Sequence, residues 1–503
     1  MTETPPIPST SSTGRDEAFV AYADARRKHW DALAIASVPY SGWGGYYHRR
    51  LAEVYGFLIS PGQRVLEVGC STGDLLAATR PSVGVGVDFS PEMIKQARQR
   101  HPNLQFIEAD VHELALEGAQ GGAQGGAQGV HGGAFDAIIV SDLVNDLWDV
   151  QRLFERLRPL AHPRTRLVIN TYSRVWEWPL GVAAKLGVAR ATLNQNWLTV
   201  PDIANLLYLA GFEVMRDWRE VLWPVRTPIV DAVCNKFLVK FWPFKHGALT
   251  NFVLARPQPV REDRHARVSV IVAARNEEGN VQSIFSRVPQ MGGGTELIFV
   301  EGHSKDDTYG AIERAIGARP GTDAKLFRQS GKGKGDAVRK GFAEASGDVL
   351  MILDADLTVP PEDLPRFYDA LVSGKGEFVN GVRLVYPMEE RAMRLLNLAG
   401  NKFFSLAFSW LLGQPIKDTL CGTKVLWRRD YEMIVANRAY FGDFDPFGDF
   451  DLLFGAAKLN LKIVDVPIRY RERTYGDTNI HRWSHGWLLL RMVAFAAARI
   501  RFI

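Results

Sequence analysis

The 503-residue sequence has few cysteines and little excess charge, and both features exclude classes of protein. Its three cysteines, Cys70, Cys234 and Cys421, are odd in number and far apart, so neither a disulfide framework nor a zinc cluster is expected. Lys and Arg number 60 against 56 Asp and Glu, and this net charge of +4 does not indicate a nucleic-acid partner. We therefore expect a protein of a reducing compartment that binds no nucleic acid.

Long uncharged apolar runs are also missing from the sequence. None reaches the ~18 residues that a membrane-spanning helix needs. Residues 1–14 are rich in Thr, Ser and Pro and lack the basic start and apolar centre of a secretory signal, which predicts a disordered leader. These features predict a cytoplasmic protein, either soluble or peripheral at the inner face of the membrane.

The chain is long for a single hydrophobic core, and its patterning divides it in two. A polar, charged linker at residues 257–266 separates two runs of alternating strands and helices, typical of mostly parallel sheets covered by helices. The predicted fold class is α/β with two domains, at residues 15–256 and 267–485. A Gly/Ala/Gln-rich stretch at residues 118–133 is expected to form a flexible surface loop in the first domain.

The expected secondary structure follows from short apolar, branched runs and from helical periodicity. The predicted strands are Arg64–Val68, Gly84–Val87, Leu104–Ile107, Ala137–Val140, Leu167–Ile169, Val268–Val272, Glu296–Val300 and Val349–Leu353. The predicted helices include Pro91–Arg100 and Val150–Leu157.

In the first domain a glycine-containing turn joins a strand to a helix, and acids end the next two strands. Gly69 and Gly73 permit a tight turn and a close approach of backbone to a ligand. Asp88 lies 21 positions after Glu67, a spacing at which an acid accepts hydrogen bonds from ribose hydroxyls. Asp110 ends the third strand and suits an adenine amino group. The dinucleotide G-x-G-x-x-G pattern is absent, which argues against a nicotinamide cofactor.

This order of elements resembles the class I S-adenosylmethionine-dependent methyltransferases over about residues 34–256. The resemblance implies a Rossmann-like fold and S-adenosylmethionine as cofactor. It implies that the cofactor is held by Glu67, Gly69, Gly73, Asp88 and Asp110. One departure is Ser71, which stands where many members have a glycine.

Few residues need to react, because methyl transfer from a sulfonium depends mainly on alignment. Asp142, Asn145 and Trp148 follow the fourth strand and are expected to face the transferred methyl group. Residues 46–48 are expected to form part of a lid, with His48 as a candidate general base. For each of these residues a packing or surface role is the alternative.

In the second domain Asp354 and Asp356 follow a buried-strand pattern, at the edge where open α/β sheets bind ligands. Two carboxylates this close can hold Mg²⁺ or Mn²⁺ and leave positions for phosphate oxygens. The alternative is a solvated turn. A metal site is favoured by residues 331–339, where glycines expose N–H groups and lysines such as Lys334 add the positive charge that anion binding requires. This stretch lacks the Walker ending, so an ATPase loop is not supported.

In this order the residues resemble the family 2 glycosyltransferases of GT-A fold, and within them the dolichol- or polyprenyl-phosphate sugar synthases, over about residues 267–480. The resemblance implies a nucleotide-sugar donor. It implies Asn276, Glu277 and Glu301 near the nucleoside and Asp354 and Asp356 at a divalent metal. Gly302 replaces an acid common in the family, so the base and the sugar stay open.

The acceptor decides what the later motifs do. A sugar hydroxyl must lose its proton, so Asp449 or Asp451 would act as the catalytic general base. A phosphate monoester, with a second pKa near ~6, is already anionic and needs cations instead. By this hypothesis Arg383, Lys424 and Arg471 supply those cations.

Two basic segments have open interpretations. Arg469, Arg471 and Arg473 alternate, and they either clamp phosphates or line an exposed strand edge. Residues 486–503 are apolar with interspersed arginines, and we expect an amphipathic helix that lies on anionic lipid or packs on the catalytic domain.

The leading hypothesis is a bifunctional enzyme. It would transfer a sugar from a nucleotide-sugar donor to a glycan or polyprenyl-phosphate acceptor, with metal dependence and inversion, and a methyl group from S-adenosylmethionine to a glycan-related acceptor. In a second hypothesis the first domain only binds cofactor or acts as a scaffold. In a third the protein is a polyprenyl-phosphate glycosyltransferase at the membrane surface.

Overall fold

The structure is a computed structural model. It describes residues 12–36, 44–112, 133–185, 193, 195–261, 265–383, 395–440, 449–471, 473, 475 and 482–503. Most of the predicted leader, and the predicted surface loop except Gly133, lie outside these residues. Contacts divide the chain into two compact units, Met1–Gln258 and Pro259–Ile503, which we call the N-terminal and C-terminal units. The division falls within the predicted linker.

The N-terminal unit alternates strands and helices. Its strands are β1 (Arg64–Val68), β2 (Val83–Asp88), β3 (Gln105–Glu108), β4 (Phe135–Ser141), β5 (Ala161–Tyr172), β6 (Phe212–Glu220) and β7 (Thr250–Pro257). Its α-helices are α1 (Ser12–Ile35), α2 (Gly44–Leu58), α3 (Asp74–Ala78), α4 (Pro91–Arg100), α5 (Val150–Leu157), α6 (Glu177–Lys185), α7 (Val200–Leu209) and α8 (Val230–Ala232).

The N-terminal sheet has the strand order β3-β2-β1-β4-β5-β7-β6. Strands β1 to β5 are parallel, and β7 runs antiparallel to both β5 and β6. The central strands β1 and β4 are buried over most of their length, as their mainly apolar sequences predict. All five parallel strands therefore end at one edge, which brings the acids that follow them together.

Two helices of this unit have the predicted bounds, and a capping side chain marks the start of each. The Ser90 hydroxyl accepts a hydrogen bond from the Met93 N–H at the start of α4. The Asp149 carboxylate accepts one from the Arg152 N–H at the start of α5. Each side chain satisfies a donor that a helix start leaves unpaired.

The C-terminal unit has a second mixed sheet. Its strands are β8 (Val268–Ala274), β9 (Thr295–Glu301), β10 (Ala324–Arg328), β11 (Val349–Asp354), β12 (Phe378–Val382), β13 (Lys424–Trp427) and β14 (Ile463–Pro467). Its α-helices are α9 (Val281–Arg287), α10 (Thr308–Gly317), α11 (Lys334–Ala343), α12 (Leu364–Val372), α13 (Leu395–Leu412), α14 (Arg428–Ala436), α15 (Asp449–Lys458) and α16 (Arg482–Ala496).

The C-terminal sheet has the order β10-β9-β8-β11-β13-β12-β14, with β13 antiparallel to both of its neighbours. Its central strand β11 is apolar and buried until its last residue, Asp354. The carboxyl ends of β8, β9 and β11 meet at one edge of the sheet. The predicted nucleoside and metal residues lie at this edge.

The C-terminal tail packs partly into the fold. Helix α16 contacts α13 and buries Leu489, Met492 and Ala496, whereas Trp487 and Leu490 are exposed. One side of this helix therefore forms part of the protein interior, as the packed alternative predicts.

Candidate functional sites

A cavity of about 470 Å³ lies at the carboxyl ends of the parallel strands in the N-terminal unit. Residues that follow β1, β2, β3 and β4 line it. Four of the five predicted cofactor residues are among them, namely Glu67, Gly69, Asp88 and Asp110. Gly73 does not line the cavity but closes the turn beside it.

Left-handed backbone shapes the turn after β1. Gly69 has φ 74°, Ser71 has φ 48° and Gly73 has φ 76°. A side chain at Gly73 would meet the Phe106 ring at 2.6 Å, so this position must be glycine to allow that packing. The turn exposes its backbone to the cavity, and Ser71 adopts its conformation while its N–H donates to Asp88 at 2.9 Å.

Burial makes two acids in this cavity unusually weak. Glu67 is buried, its Oε2 has no hydrogen-bond partner in the described part of the chain, and burial raises its pKa well above the ordinary value. Asp88 accepts hydrogen bonds from the N–H groups of Ser71 and Ser90, at 2.9 and 3.0 Å, yet burial raises its pKa to about 6. A buried oxygen without a partner is costly, so Glu67 Oε2 fits a site that a ligand hydroxyl completes.

Asp110 is held by its neighbour His112. Burial acts to raise the pKa of Asp110, but hydrogen bonds from His112 outweigh burial and lower it. The His112 N–H and Nδ1 both lie 2.8 Å from Asp110 Oδ1, and His112 Nε2 accepts from the Asp149 N–H at 3.2 Å. The hydrogen-bond pattern therefore assigns the proton to Nδ1 and leaves Asp110 ionised at the cavity wall.

Asp142 lines the cavity beyond β4 in a left-handed conformation, φ 52°. The buried Tyr47 hydroxyl lies 2.9 Å from both of its carboxylate oxygens, and Asn170 Nδ2 donates to it at 2.6 Å. Burial raises the pKa of Asp142 to about 7. The carboxylate is thus oriented by two donors and titrates near neutrality.

The other residues predicted to face the methyl group differ in placement. Asn145 is buried, and its Nδ2 donates to the Asn196 carbonyl at 2.7 Å. Trp148 lies edge-on to Tyr22 with ring centroids 5.0 Å apart, and neither residue 145 nor residue 148 lines the cavity. Asn145 is therefore buried outside the cavity lining and Trp148 is exposed outside it, whereas His48 lines the cavity and keeps its candidate role.

Helix α1 covers one side of the cavity, which the sequence analysis missed. Arg26 Nε and Trp30 Nε1 each donate to the Asp146 carboxylate at 2.8 Å. Asp31 accepts from the Ser90 hydroxyl at 2.5 Å. The available signal was the spacing of Phe19, Tyr22, Arg26 and Trp30, which places all four on one helical face.

In the C-terminal unit each of the two predicted metal ligands forms an ion pair with a basic side chain. Lys334 Nζ lies 2.6 Å from Asp354 Oδ1. Burial acts to raise the pKa of Asp354, but Lys334, Lys424 and Arg383 outweigh it and lower the pKa. Gly422 lies directly against this pair, and a side chain there would collide with both Asp354 and Lys334. Asp354 is therefore ionised, with positively charged side chains around it and the Gly422 backbone packed closely against it.

Asp356 is tied to a second cation, Arg473. Arg473 Nη2 lies 2.7 Å from Asp356 Oδ2, and its Nη1 lies 3.4 Å from Glu277 Oε1. The Thr358 N–H and hydroxyl donate to the other Asp356 oxygen, at 3.1 and 2.8 Å. Glu277 also accepts from Asn280 at 2.7 Å, and burial raises its pKa to about 7. Arg473 thus joins the predicted metal ligand to the predicted nucleoside residue.

The donor set fits a hard divalent cation that takes further ligands from elsewhere. Among the residues that the structure describes, no group of three or more His, Cys, Asp or Glu could enclose a metal. Asp354 and Asp356 offer carboxylate oxygens, and Mg²⁺ in particular is commonly held by one or two carboxylates together with substrate phosphates and water. A metal here would compete with Lys334 and Arg473 for these oxygens.

The other basic residues predicted to bind a phosphate differ in how far their side chains are exposed to a ligand. Arg383 binds Asp418 bidentately, with Nε–Oδ2 at 2.7 Å and Nη2–Oδ1 at 2.9 Å, and Lys424 is buried and donates to the Cys421 carbonyl. The Arg471 side chain is exposed. Arg383 and Lys424 therefore act on Asp354 mainly through their charge.

Asn276 and Glu301 shape the loops beside this site. Asn276 has φ 58°, and its Oδ1 accepts from the Lys305 N–H at 2.7 Å. Glu301 is buried and accepts from the Ser304 N–H at 2.5 Å. Both hold the segment after β9 in place at the predicted nucleoside position.

The predicted catalytic acids lie at the start of α15. The side chain of Asp449 lies outside the described part, so its role stays a prediction. Asp451 is buried, and its Oδ2 lies 2.9 Å from Arg438 Nε and 2.8 Å from Arg438 Nη2. The Arg438 guanidinium therefore occupies an Asp451 carboxylate oxygen that a general base would use.

Comparison with known proteins gives two matches on separate parts of the chain. Residues 269–435 match the family model for glycosyl transferase family 2, and residues 59–208 match a methyltransferase domain model. These models confirm the two resemblances found in the sequence and the predicted pair of α/β domains. In the described residues, no helix is both long and apolar enough to cross a membrane.

Similar proteins were found for both parts. A dolichyl-phosphate hexose transferase of Haloferax volcanii is 30% identical over 220 residues, which cover 44% of this chain and 89% of that protein. A dolichol-phosphate mannosyltransferase of Pyrococcus furiosus is 37% identical over 111 residues, 22% of this chain and 31% of that protein. The structure of magnesium protoporphyrin IX methyltransferase from Synechocystis PCC 6803 is 16% identical with a TM-score of 0.33, and the match covers 47% of this chain and 100% of that one.

Proposed function

The chain belongs to glycosyl transferase family 2 and also contains a methyltransferase domain, and from this premise we propose that it is a bifunctional enzyme. It transfers a sugar from a nucleotide-sugar donor to a polyprenyl-phosphate or glycan acceptor, with inversion. It also transfers a methyl group from S-adenosylmethionine to a glycan-related acceptor. The observation that supports this is that each unit has its own acid-lined site at the carboxyl ends of its own parallel strands.

The donor would bind at the end of β11. Asp354 and Asp356 would hold a Mg²⁺ or Mn²⁺ ion, which when bound supplies positive charge to the departing nucleoside diphosphate. Lys334 opens α11, where the helix N-terminus and the ammonium group both favour an anion. Asn276, Glu277 and Glu301 would contact the nucleoside. Arg471 and Arg473 would add cations beside the diphosphate.

The acceptor that these residues favour is a phosphate. A phosphate oxygen attacks the anomeric carbon while the bond from that carbon to the nucleoside diphosphate breaks, and this acceptor has no proton to lose at neutral pH. The charges of Arg383 and Lys424 favour its approach, and the pairing of Asp451 with Arg438 weakens the case for a base there. The similarity to dolichyl-phosphate hexose transferase supports the same choice.

The methyl donor would bind in the N-terminal cavity. Glu67 and Asp88 would hold the ribose hydroxyls and Asp110 the adenine amino group, with Gly69 and Gly73 shaping the turn. S-adenosylmethionine supplies an electrophilic methyl group when bound. An acceptor hydroxyl would lose its proton to Asp142, whose carboxylate Tyr47 and Asn170 orient.

Substitution of the two acids at the end of β11 tests the proposal. In Asp354→Asn and Asp356→Asn we expect sugar transfer with Mg²⁺ or Mn²⁺ to fall at least ~100-fold, because the metal loses a charged ligand. Binding of S-adenosylmethionine, measured by calorimetry, should be unchanged. The matched control is Asp369→Asn, an exposed acid on α12. Retained transfer, or joint loss of both properties, would contradict the proposal.

A second candidate is that the N-terminal unit binds the cofactor without transferring methyl groups. The cover of α1 over the cavity favours it, because the same helix limits access for an acceptor. A methylation screen over glycan and lipid-linked glycan acceptors decides between the two. Binding of S-adenosylmethionine with no methylated product would support this second function.

A further inference from the structure

The segment between β6 and β7 exposes large apolar side chains to solvent and buries two polar ones. Ile229, Val233, Phe237 and Phe241 recur every fourth residue along a run of short helical turns, and all four are exposed. Trp242 and Phe244 add to this surface, and Trp242 is 76% exposed. We call residues 229–244 the apolar ridge. A face that meets only water normally presents polar side chains, so the ridge indicates a surface that contacts something else.

Polar side chains of the same segment point into the protein. Asn235 is fully buried, its Nδ2 donates to the Trp223 carbonyl at 2.7 Å and to the Tyr46 hydroxyl at 2.9 Å, and its Oδ1 accepts from the Trp223 N–H at 2.8 Å. The buried Lys240 pairs with Glu220, which also binds Arg50 at 3.2 Å. These anchors fix the orientation of the ridge, so its outward apolar face is built into the fold.

The charges around the ridge select its partner. Between residues 222 and 247 the exposed cations are Arg226, Lys236 and Lys245, and the sequence of that stretch contains a single acid, Asp231. Trp and Phe side chains beside Lys and Arg are the residues that enter the boundary between lipid headgroups and acyl chains. A purely apolar partner surface would give the three cations nothing to bind.

We propose that the apolar ridge docks the N-terminal unit onto an anionic lipid surface. Phe241, Trp242 and Phe244 enter the headgroup region, while Lys236 and Lys245 bind lipid phosphates. The sequence alone had left residues 486–503 open between lipid contact and packing on the catalytic domain, and in the structure α16 buries one of its sides within the C-terminal unit. The inference does not depend on the proposed function, because lipid binding requires neither sugar donor nor methyl donor.

Vesicle flotation of the full chain tests the docking. The wild type should float with vesicles that contain phosphatidylglycerol and bind phosphatidylcholine vesicles more weakly. The triple variant Phe241→Ser, Trp242→Ser, Phe244→Ser should lose at least ~10-fold in affinity for both. Lys236→Gln with Lys245→Gln should remove the preference for phosphatidylglycerol and its dependence on salt. The matched control, Tyr208→Ser with Leu209→Ser on α7, removes exposed apolar side chains elsewhere and should bind as wild type does.

Three results would overturn the proposal. One is equal flotation of the wild type and the triple variant. Another is a wild type that is dimeric and a triple variant that is monomeric in the absence of vesicles, which would assign the ridge to contact with a second copy of the chain. The last is a lower unfolding temperature of the triple variant without lipid, which would mean that the ridge is covered by the protein itself. Trp487→Ser with Leu490→Ser shows separately how much the tail contributes.

Discussion

At the residue scale, three buried acids of the N-terminal cavity and Asp354 of the C-terminal site are in opposite electrostatic states. Burial raises the pKa of Glu67, Asp88 and Asp142, and no basic side chain is among the groups that shift them. Asp354 is held ionised by cations. Three carboxylates that no basic side chain shifts suit a ligand with a positive sulfonium, and a cation-rich surrounding such as that of Asp354 suits a diphosphate. The charge around each acid therefore supports a different ligand class.

The raised pKa of Asp88 predicts pH-dependent cofactor binding. Its carboxylate accepts hydrogen bonds best when ionised, and its pKa is about 6. The dissociation constant for S-adenosylmethionine should therefore rise about tenfold as pH falls from ~7 to ~5. Calorimetry across this range measures the change.

The variant Asp88→Asn separates this residue from the other titrating groups. It should bind more weakly at all pH values and lose most of the pH dependence, because the amide does not titrate. An unchanged pH profile in the variant would assign the titration to another acid, such as Glu67.

At the element scale, the sequence predicted the segments whose signals are local. The bounds of β1, α4 and α5 were correct because an apolar run or a capping residue marks them. The antiparallel strand β13 was missed, since its insertion between β11 and β12 is set by pairing between distant segments. Helix α1 was missed because its covering role depends on contacts with Asp146, 116 or more residues away.

The features of the two sites also divide into those that a local signal predicts and those that depend on distant contacts. Acids at strand ends were predictable because the parallel topology brings these ends together. Their partners were not, since Arg473 lies 117 residues from Asp356 and the pairing of Lys334 with Asp354 depends on how α11 packs. The local sequence therefore predicted where the acids lie, but it did not predict which basic side chains pair with them and set their ionisation state.

Helix α1 should control release of the methyl donor. Arg26→Ala or Trp30→Phe removes one donor to Asp146, and a hydrogen bond to a charged group contributes about 1.5–3 kcal/mol. We expect the dissociation rate of S-adenosylmethionine to rise about tenfold, a change of ~1.4 kcal/mol, with the fold intact. Stopped-flow fluorescence measures this rate.

The control for this helix is Lys28→Ala, an exposed position on the same element. It should leave the dissociation rate unchanged. If both Arg26→Ala and Trp30→Phe also release the cofactor at the wild-type rate, α1 does not act as a cover.

At the scale of the whole molecule, each unit has a complete set of structural parts. The hydrophobic clusters of the N-terminal unit draw on residues 47–255, and that of the C-terminal unit on residues 266–468. The residues that line the N-terminal cavity all lie between Phe19 and Gln195. The acids and cations around β11 lie between Glu277 and Arg473. Within the described ranges, the side chains named at each site all come from that site's own unit.

Division of the chain between Gln258 and Pro259 should therefore give two folded proteins. We expect residues 1–258 to bind S-adenosylmethionine with the affinity of the full chain, measured by calorimetry. Residues 259–503 should keep metal-dependent sugar transfer, because Pro259 and Val260 remain attached to pack against Gly374. A mixture of the two fragments is the control, and it should behave as the sum of its parts. Cofactor binding that returns only on mixing would show that one half completes the site of the other.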